Sequence, residues 1–154
     1  MAITGMAYAD NWVGYCSEET EPCSCSDSQA MAGMWCTGNW CDNNYAYCRT
    51  IGTKGNRYWT PAQYDNGTLW CSPGYVPQKL DCHGGYCSGI SFDCVNINNA
   101  TGDTNCTWTD VLGTDESGNP YTNYGQTCGT GKFVHGSQIF NYYGSKRKLY
   151  CCNY

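Results

Sequence analysis

The chain has 154 residues, a formal net charge of −5 and only eight Lys and Arg, a balance that argues against a nucleic-acid-binding surface. No apolar run approaches the roughly 18 residues that span a bilayer as a helix, and Leu, Ile, Val and Phe are too sparse for a large conventional core. Fourteen cysteines against that thin apolar content point instead to a disulfide-stapled single domain over 1–154, working in an oxidising, extracellular space.

In chain order, the N-terminal stretch 1–11 is predicted to carry a strand at Ala2-Ile3-Thr4. Trp12, Trp59 and Trp108 then open three units of about 47 residues, at 12–58, 59–107 and 108–154. Within them, short aromatic or β-branched segments such as 45–48 and 133–139 are bounded by Gly, Asn and Ser, and nothing sustains a period of 3.6 residues. The expected fold class is all-β. Three such repeats favour a closed pseudo-threefold arrangement, trefoil- or prism-like, with an open row of three small sheets as the alternative. The third unit carries an insertion dense in turn formers, Thr114-Asp115-Glu116-Ser117-Gly118-Asn119-Pro120, expected as an exposed loop. The basic triplet Lys146-Arg147-Lys148 reads as a solvated strand face.

The cysteine spacing carries the repeat. Cys25, Cys36, Cys41 and Cys48 are matched by Cys71, Cys82, Cys87 and Cys94 at the same intervals of 11, 5 and 7 residues. The third unit keeps only the outer two, Cys128 and Cys151, with Ile139 and Gly144 where Cys36 and Cys41 stand in the first. A disulfide is lost as a unit, so this joint loss pairs Cys36 with Cys41 and Cys82 with Cys87. The outer pairs are then Cys25 with Cys48, Cys71 with Cys94 and Cys128 with Cys151. The remaining four are assigned as Cys16 with Cys23 and Cys106 with Cys152. There is no C-x2-C pair and there are only two histidines, His83 and His135, so neither a metal nor a cofactor is expected.

The residue before the second inner cysteine is aromatic in each unit: Trp40, Tyr86 and Tyr143. Held at the tip of a tight hairpin and flanked by Asn39, Asp42, Asn43 and Asn141, such rings suit sugars, whose C–H faces stack while hydroxyls take amides and carboxylates. The competing reading has each ring simply packing over its own disulfide. The acidic run Glu18, Glu19, Glu21 reads as solvated surface or, less often, a Ca²⁺ site. Asp42, Asp81, Asp93 and Asp110 qualify as glycosidase carboxylates by type only, and no Ser-His-Asp or Cys-His arrangement is indicated, so the chain is expected not to be an enzyme. Sequons at Asn66, Asn99 and Asn105 mark glycosylation sites.

The run Cys36-Thr37-Gly38-Asn39-Trp40-Cys41-Asp42-Asn43, with Trp12 and Ser17-Glu18-Glu19 upstream, resembles a C-x-G-x-[WY]-C-D-N signature that occurs in tandem in secreted cysteine-rich repeat proteins of poorly defined function. The second unit keeps Cys82-x-Gly84-x-Tyr86-Cys87 but has Ser88-Gly89 after it, and the third lacks both cysteines. The resemblance implies a secreted repeat module and no activity.

The expected function is therefore a secreted, lectin-like protein that binds an extracellular or cell-surface glycan without catalysis, its leader peptide not being visible in this sequence. Neither nucleic acid nor membrane insertion is expected. The alternative is a structural subunit of an extracellular fibre or coat, self-assembling through the N-terminal strand by strand addition. A toxin-like effector is compatible with the disulfide framework, although no membrane-inserting segment is evident.

Overall fold

A computed structural model describes residues 9–154, so the strand expected at Ala2-Ile3-Thr4 falls outside the described part of the chain. The first strands are β1 (Asn11–Cys16), β2 (Cys23–Ser24), β3 (Gln29–Thr37) and β4 (Asn43–Thr50). They are followed by β5 (Lys54–Trp59), β6 (Gly67–Trp70), β7 (Tyr75–His83) and β8 (Gly89–Ile97). The last are β9 (Thr104–Trp108), β10 (Leu112–Gly113), β11 (Gly125–Thr127), β12 (Phe133–Phe140) and β13 (Lys146–Asn153). The described residues form no α-helix, in keeping with the all-β expectation.

Three antiparallel sheets are each built on one long hairpin: β3–β4 in sheet A, β7–β8 in sheet B and β12–β13 in sheet C. Against the second hairpin strand lies the strand bearing the marker tryptophan: β1 on β4, β5 on β8 and β9 on β13. Trp59 and Trp108 thus end their strands rather than open them. The segments after Cys48 and Cys94 are mostly the far ends of β4 and β8, and β13 reaches an equivalent end at Asn153. Sheet C has its edge strand in β9, paired with β13.

The first strand of each hairpin pairs with a short strand from a different unit. β11 joins β3, β2 joins β7, and β6 joins β12. The third unit thus lends a strand to the first, the first to the second and the second to the third.

The seven disulfides join the pairs predicted from the spacing: Cys16–Cys23, Cys25–Cys48, Cys36–Cys41, Cys71–Cys94, Cys82–Cys87, Cys106–Cys152 and Cys128–Cys151. The topology gives the three outer bridges a shared task. Each joins the residue directly after a lent strand to the second hairpin strand of its own unit. Cys25–Cys48 ties sheet B to sheet A, Cys71–Cys94 ties C to B, and Cys128–Cys151 ties A to C.

Strand alternation sends one set of side chains inward from each sheet. The main core interleaves most of the cystines with Met31, Met34, Leu80, Ile90, Phe92, Leu112, Ile139 and Leu149. Alternation also corrects the reading of the basic triplet: Lys146 and Lys148 turn outward, but Arg147 between them is driven into the core and is completely buried. Its Nη1 donates to Asn44 Oδ1 and its Nη2 to the Cys87 carbonyl at 3.0 Å, while Nε finds no acceptor. Burial pulls its pKa down to about 10. A buried charge held by neutral acceptors contributes little net stability, whereas stripping its acceptor is costly. Arg147→Met is expected to leave the unfolding free energy within about 1 kcal/mol or raise it, and Asn44→Ala to lower it by about 3 kcal/mol. Denaturant titration of both variants decides this, and the reverse order would refute it.

Candidate functional site

The three hairpins turn over in the same way, and the backbone explains the aromatic position. Gly38, Gly84 and Asn141 enter the turns at φ 79°, 71° and 68° with ψ near 180°. Trp40, Tyr86 and Tyr143 follow in the left-handed region at φ 55°, 57° and 55°. The next residue is left-handed as well: Cys41 at 63°, Cys87 at 53° and Gly144 at 62°. Two consecutive left-handed residues are unfavourable for side-chain-bearing positions. In the first two turns a disulfide fixes that geometry. The third turn lacks the bridge and places glycine there, which adopts it without steric cost. The partner position is filled by Ile139, whose Cγ2 would lie 2.8 Å from a Cβ on Gly144.

The turns also converge. Tyr143 sits 5.0 Å from Tyr86 and 6.0 Å from Trp40, centroid to centroid, and Tyr142 lies 4.5 Å from Tyr143 and 5.4 Å from Trp40. The predicted ring positions therefore form one aromatic cluster at one end of the molecule, neither three separate sites nor three rings each folded over its own bridge. Tyr142, which sequence reasoning passed over, is its most exposed member at 63%. Asn39 is exposed at the rim, Asn43 lies against Gly38, and Asn141 Nδ2 donates to the Tyr121 hydroxyl at 3.0 Å and to Ser145 Oγ at 3.2 Å.

The insertion of the third unit supports the first tip instead of forming a wholly exposed loop. Thr114 is buried; its Oγ1 donates to the Gly38 carbonyl at 2.6 Å and accepts from the Cys41 N–H at 2.8 Å. The Trp40 N–H donates to the Asp115 carbonyl at 2.9 Å. Residues 116 and 117 and Asn119 stay exposed, as expected of turn formers.

Asp42 stands beside the acidic run. Partial burial, together with the neighbouring Glu18 and Glu19 carboxylates, pushes its pKa up to about 6. The folded state then binds more protons than the unfolded chain between pH 3.8 and about 6, so stability falls as pH rises through that window and stays reduced above it. Asp42→Asn is expected to stabilise the protein at pH 7 by no more than about 1 kcal/mol, given solvent screening, and to have no such effect below pH 4. Thermal melts of both proteins across pH 3.5–7.5 check this; a gain that persists at the acid end would refute it.

A second surface, missed from sequence, lies on the outward face of sheet A. The outward residues of β4 include Asn43, Tyr45 and Tyr47, and those of β3 include Trp35 and Thr37. Register places Trp12 opposite Tyr47, Tyr45 opposite Trp35, and Asn43 opposite Thr37. Trp12, Trp35, Thr37 and Tyr45 enclose a groove of about 260 Å³. Trp12 stands 5.8 Å from Trp35 at 74°, and Trp35 runs nearly parallel to Tyr124 at 5.6 Å and 16°. Glycines let these rings approach the strands closely. Tyr45 lies against Gly14, and a methyl on Gly125 would come within 2.6 Å of Trp35 Cε3. Trp12 and Trp35 remain 41% and 38% exposed, and the groove's polar end at Thr37 adjoins Asn43, one of the predicted contacts. The only sequence signal for this surface was the odd-numbered aromatic alternation through residues 35, 45 and 47.

The other acids have separate employment. Asp93 is buried and holds Arg57 at 2.6 Å, Asp81 stands 3.8 Å from His83, and Asp110 is exposed. His135 is paired with Asp103 at 3.2 Å. Among the described residues no group of three or more His, Cys, Asp or Glu side chains is arranged to hold a metal, and no helix is long and apolar enough to cross a membrane. The sequon residues Asn66, Asn99 and Asn105 are all exposed. No family model, curated protein or solved structure matches the chain.

Proposed function

We propose that this is a secreted, non-catalytic carbohydrate-binding protein. The observation that carries the reading is the groove of about 260 Å³ between Trp12, Trp35, Thr37 and Tyr45. It is smaller than the roughly 300–1,000 Å³ of sites for drug-sized ligands and suits one or two pyranose rings. Its walls offer aromatic surface for the C–H face of a sugar, and its open end offers a hydroxyl at Thr37 and an amide at Asn43 for the sugar hydroxyls. The tip cluster of Trp40, Tyr86 and Tyr143, with Asn39, Asp42 and Asn141, supplies a second aromatic surface where the turn of this hairpin meets those of the other two. Seven disulfides support an extracellular setting, in line with the tandem cysteine signature.

A non-catalytic role fits the acids. Asp42 lies beside the Glu18 and Glu19 carboxylates, whereas hydrolysis requires two carboxyl groups flanking the scissile bond with room for the sugar between them. The fibre reading rests on residues 2–4, outside the described part of the chain. Probing a glycan array with the intact, non-reduced protein tests the proposal: retention of a defined set of oligosaccharides supports it, and absence of any signal removes it.

A further inference from the structure

The tryptophan and tyrosine arrangement on sheet A recurs on sheet C. Trp108 on β9 stands directly opposite Tyr150 on β13, as Trp12 stands opposite Tyr47, and both pairs have centroids 4.8 Å apart. In each sheet a second tryptophan closes the group. Trp70 lies 5.7 Å from Trp108 and 5.1 Å from Tyr150, where Trp35 lies 5.8 Å from Trp12. Each of these second rings is seated against a glycine across the ladder: Trp70 against Gly136, where a Cβ would come within 2.9 Å of its Cζ3, and Trp35 against Gly125. Trp70 also packs against the His135 ring at 5.7 Å. Trp70 and Trp108 are 43% and 44% exposed.

Sheet B breaks the pattern. Trp59 stands opposite Asp93, which is buried and engaged by Arg57. Two sheets of three thus carry the aromatic group.

Resting on the carbohydrate-binding reading, we infer that the Trp70–Trp108–Tyr150 face of sheet C is a second pyranose-binding platform, which makes the protein bivalent for glycans. The rings stack the sugar face. Two residues along the same outward rows, Lys148 and Gln138 are direct register partners and reach sugar hydroxyls as donors, Gln138 also as an acceptor. Lys148 adds a positive charge here, whereas the sheet A platform ends beside Asp42 and Glu18, so the sheet C platform favours neutral or acidic sugars over basic ones. With platforms on two sheets, one molecule bridges two chains of a polysaccharide, and the apparent affinity for a multivalent glycan rises well above that of either site alone.

Affinity electrophoresis of the intact, disulfide-bonded protein through gels containing galactomannan, xyloglucan or hyaluronate tests this. Wild type, Trp35→Ala, Trp70→Ala and the Trp35→Ala/Trp70→Ala double variant are compared, and Trp108→Ala replaces Trp70→Ala if the latter loses native mobility in a plain gel. The expected result is that wild type is retarded by at least one polysaccharide, each single variant binds it about 100-fold more weakly, and the double variant runs freely. Retardation of wild type that Trp35→Ala alone abolishes, with Trp70→Ala and Trp108→Ala unchanged, overturns the second platform and leaves the first intact. Wild type that runs freely in all three gels overturns the carbohydrate reading and this inference with it.

Discussion

Trp35→Ala is expected to lose about 2 kcal/mol of affinity for a soluble oligosaccharide, roughly a 30-fold rise in Kd. Trp35 is the centre of the sheet A groove: it packs against Trp12 on one flank and Tyr124 on the other, so its removal opens the groove as well as deleting a stacking face. The fold should survive, because the ring is 38% exposed and stands outside the main core. Titration calorimetry with an oligosaccharide selected on the array measures the effect, with Trp59→Ala on sheet B as a control that should bind normally. Trp40→Ala separates the two surfaces on this hairpin. An unchanged Kd in Trp35→Ala beside a lost signal in Trp40→Ala would move the site from the groove to the tips.

The second large effect concerns stability. Cys25→Ala/Cys48→Ala should lower the unfolding free energy by about 3 kcal/mol, because the bridge closes a loop with a sequence separation of 23 and is also the tie between sheets A and B. Cys36→Ala/Cys41→Ala should lower it by at most about 2 kcal/mol. That loop has a separation of only 5, and the third turn shows the same backbone path held without a bridge. Urea titration of the two double variants gives the order directly. A larger loss from the tip bridge than from the inter-sheet bridge would refute the assignment of the outer bridges as sheet ties. Complete reduction should unfold the protein, since cystines make up so much of the buried core.

The disulfide pairing and the all-β class were legible because both are periodic in one dimension. Equal intervals between cysteines and the joint absence of two of them in the third unit carry pairing information without any knowledge of the fold. Properties that arise between units were not legible. The Trp12, Trp35 and Tyr45 groove depends on the registers of β1 and β3 against β4, and the seating of Trp35 depends on Gly125, 90 positions away in the chain. A triplet such as Lys146-Arg147-Lys148 alternates whichever way it faces, and only the partner groups on Asn44 and Cys87 make the inward place habitable for Arg147. Thr114 looked like loop because its composition is that of a loop; its burial comes from the unsatisfied backbone of a turn in another unit. The aromatic tips were found correctly as turn positions, but their meeting at one end required the three hairpins to point the same way.

The lending of short strands around the three sheets bears on how such a chain holds together. A free-standing copy of one unit would have its own hairpin with an unfilled edge and a short strand with nowhere to pair. Three units in one chain, each donating to the next, give the first strand of every hairpin its outer partner, so no sheet is completed by its own unit alone. Carrying all three units in one chain makes this exchange intramolecular and independent of concentration. It also makes the sheets interdependent: removing one lent strand opens an edge in the sheet of another unit.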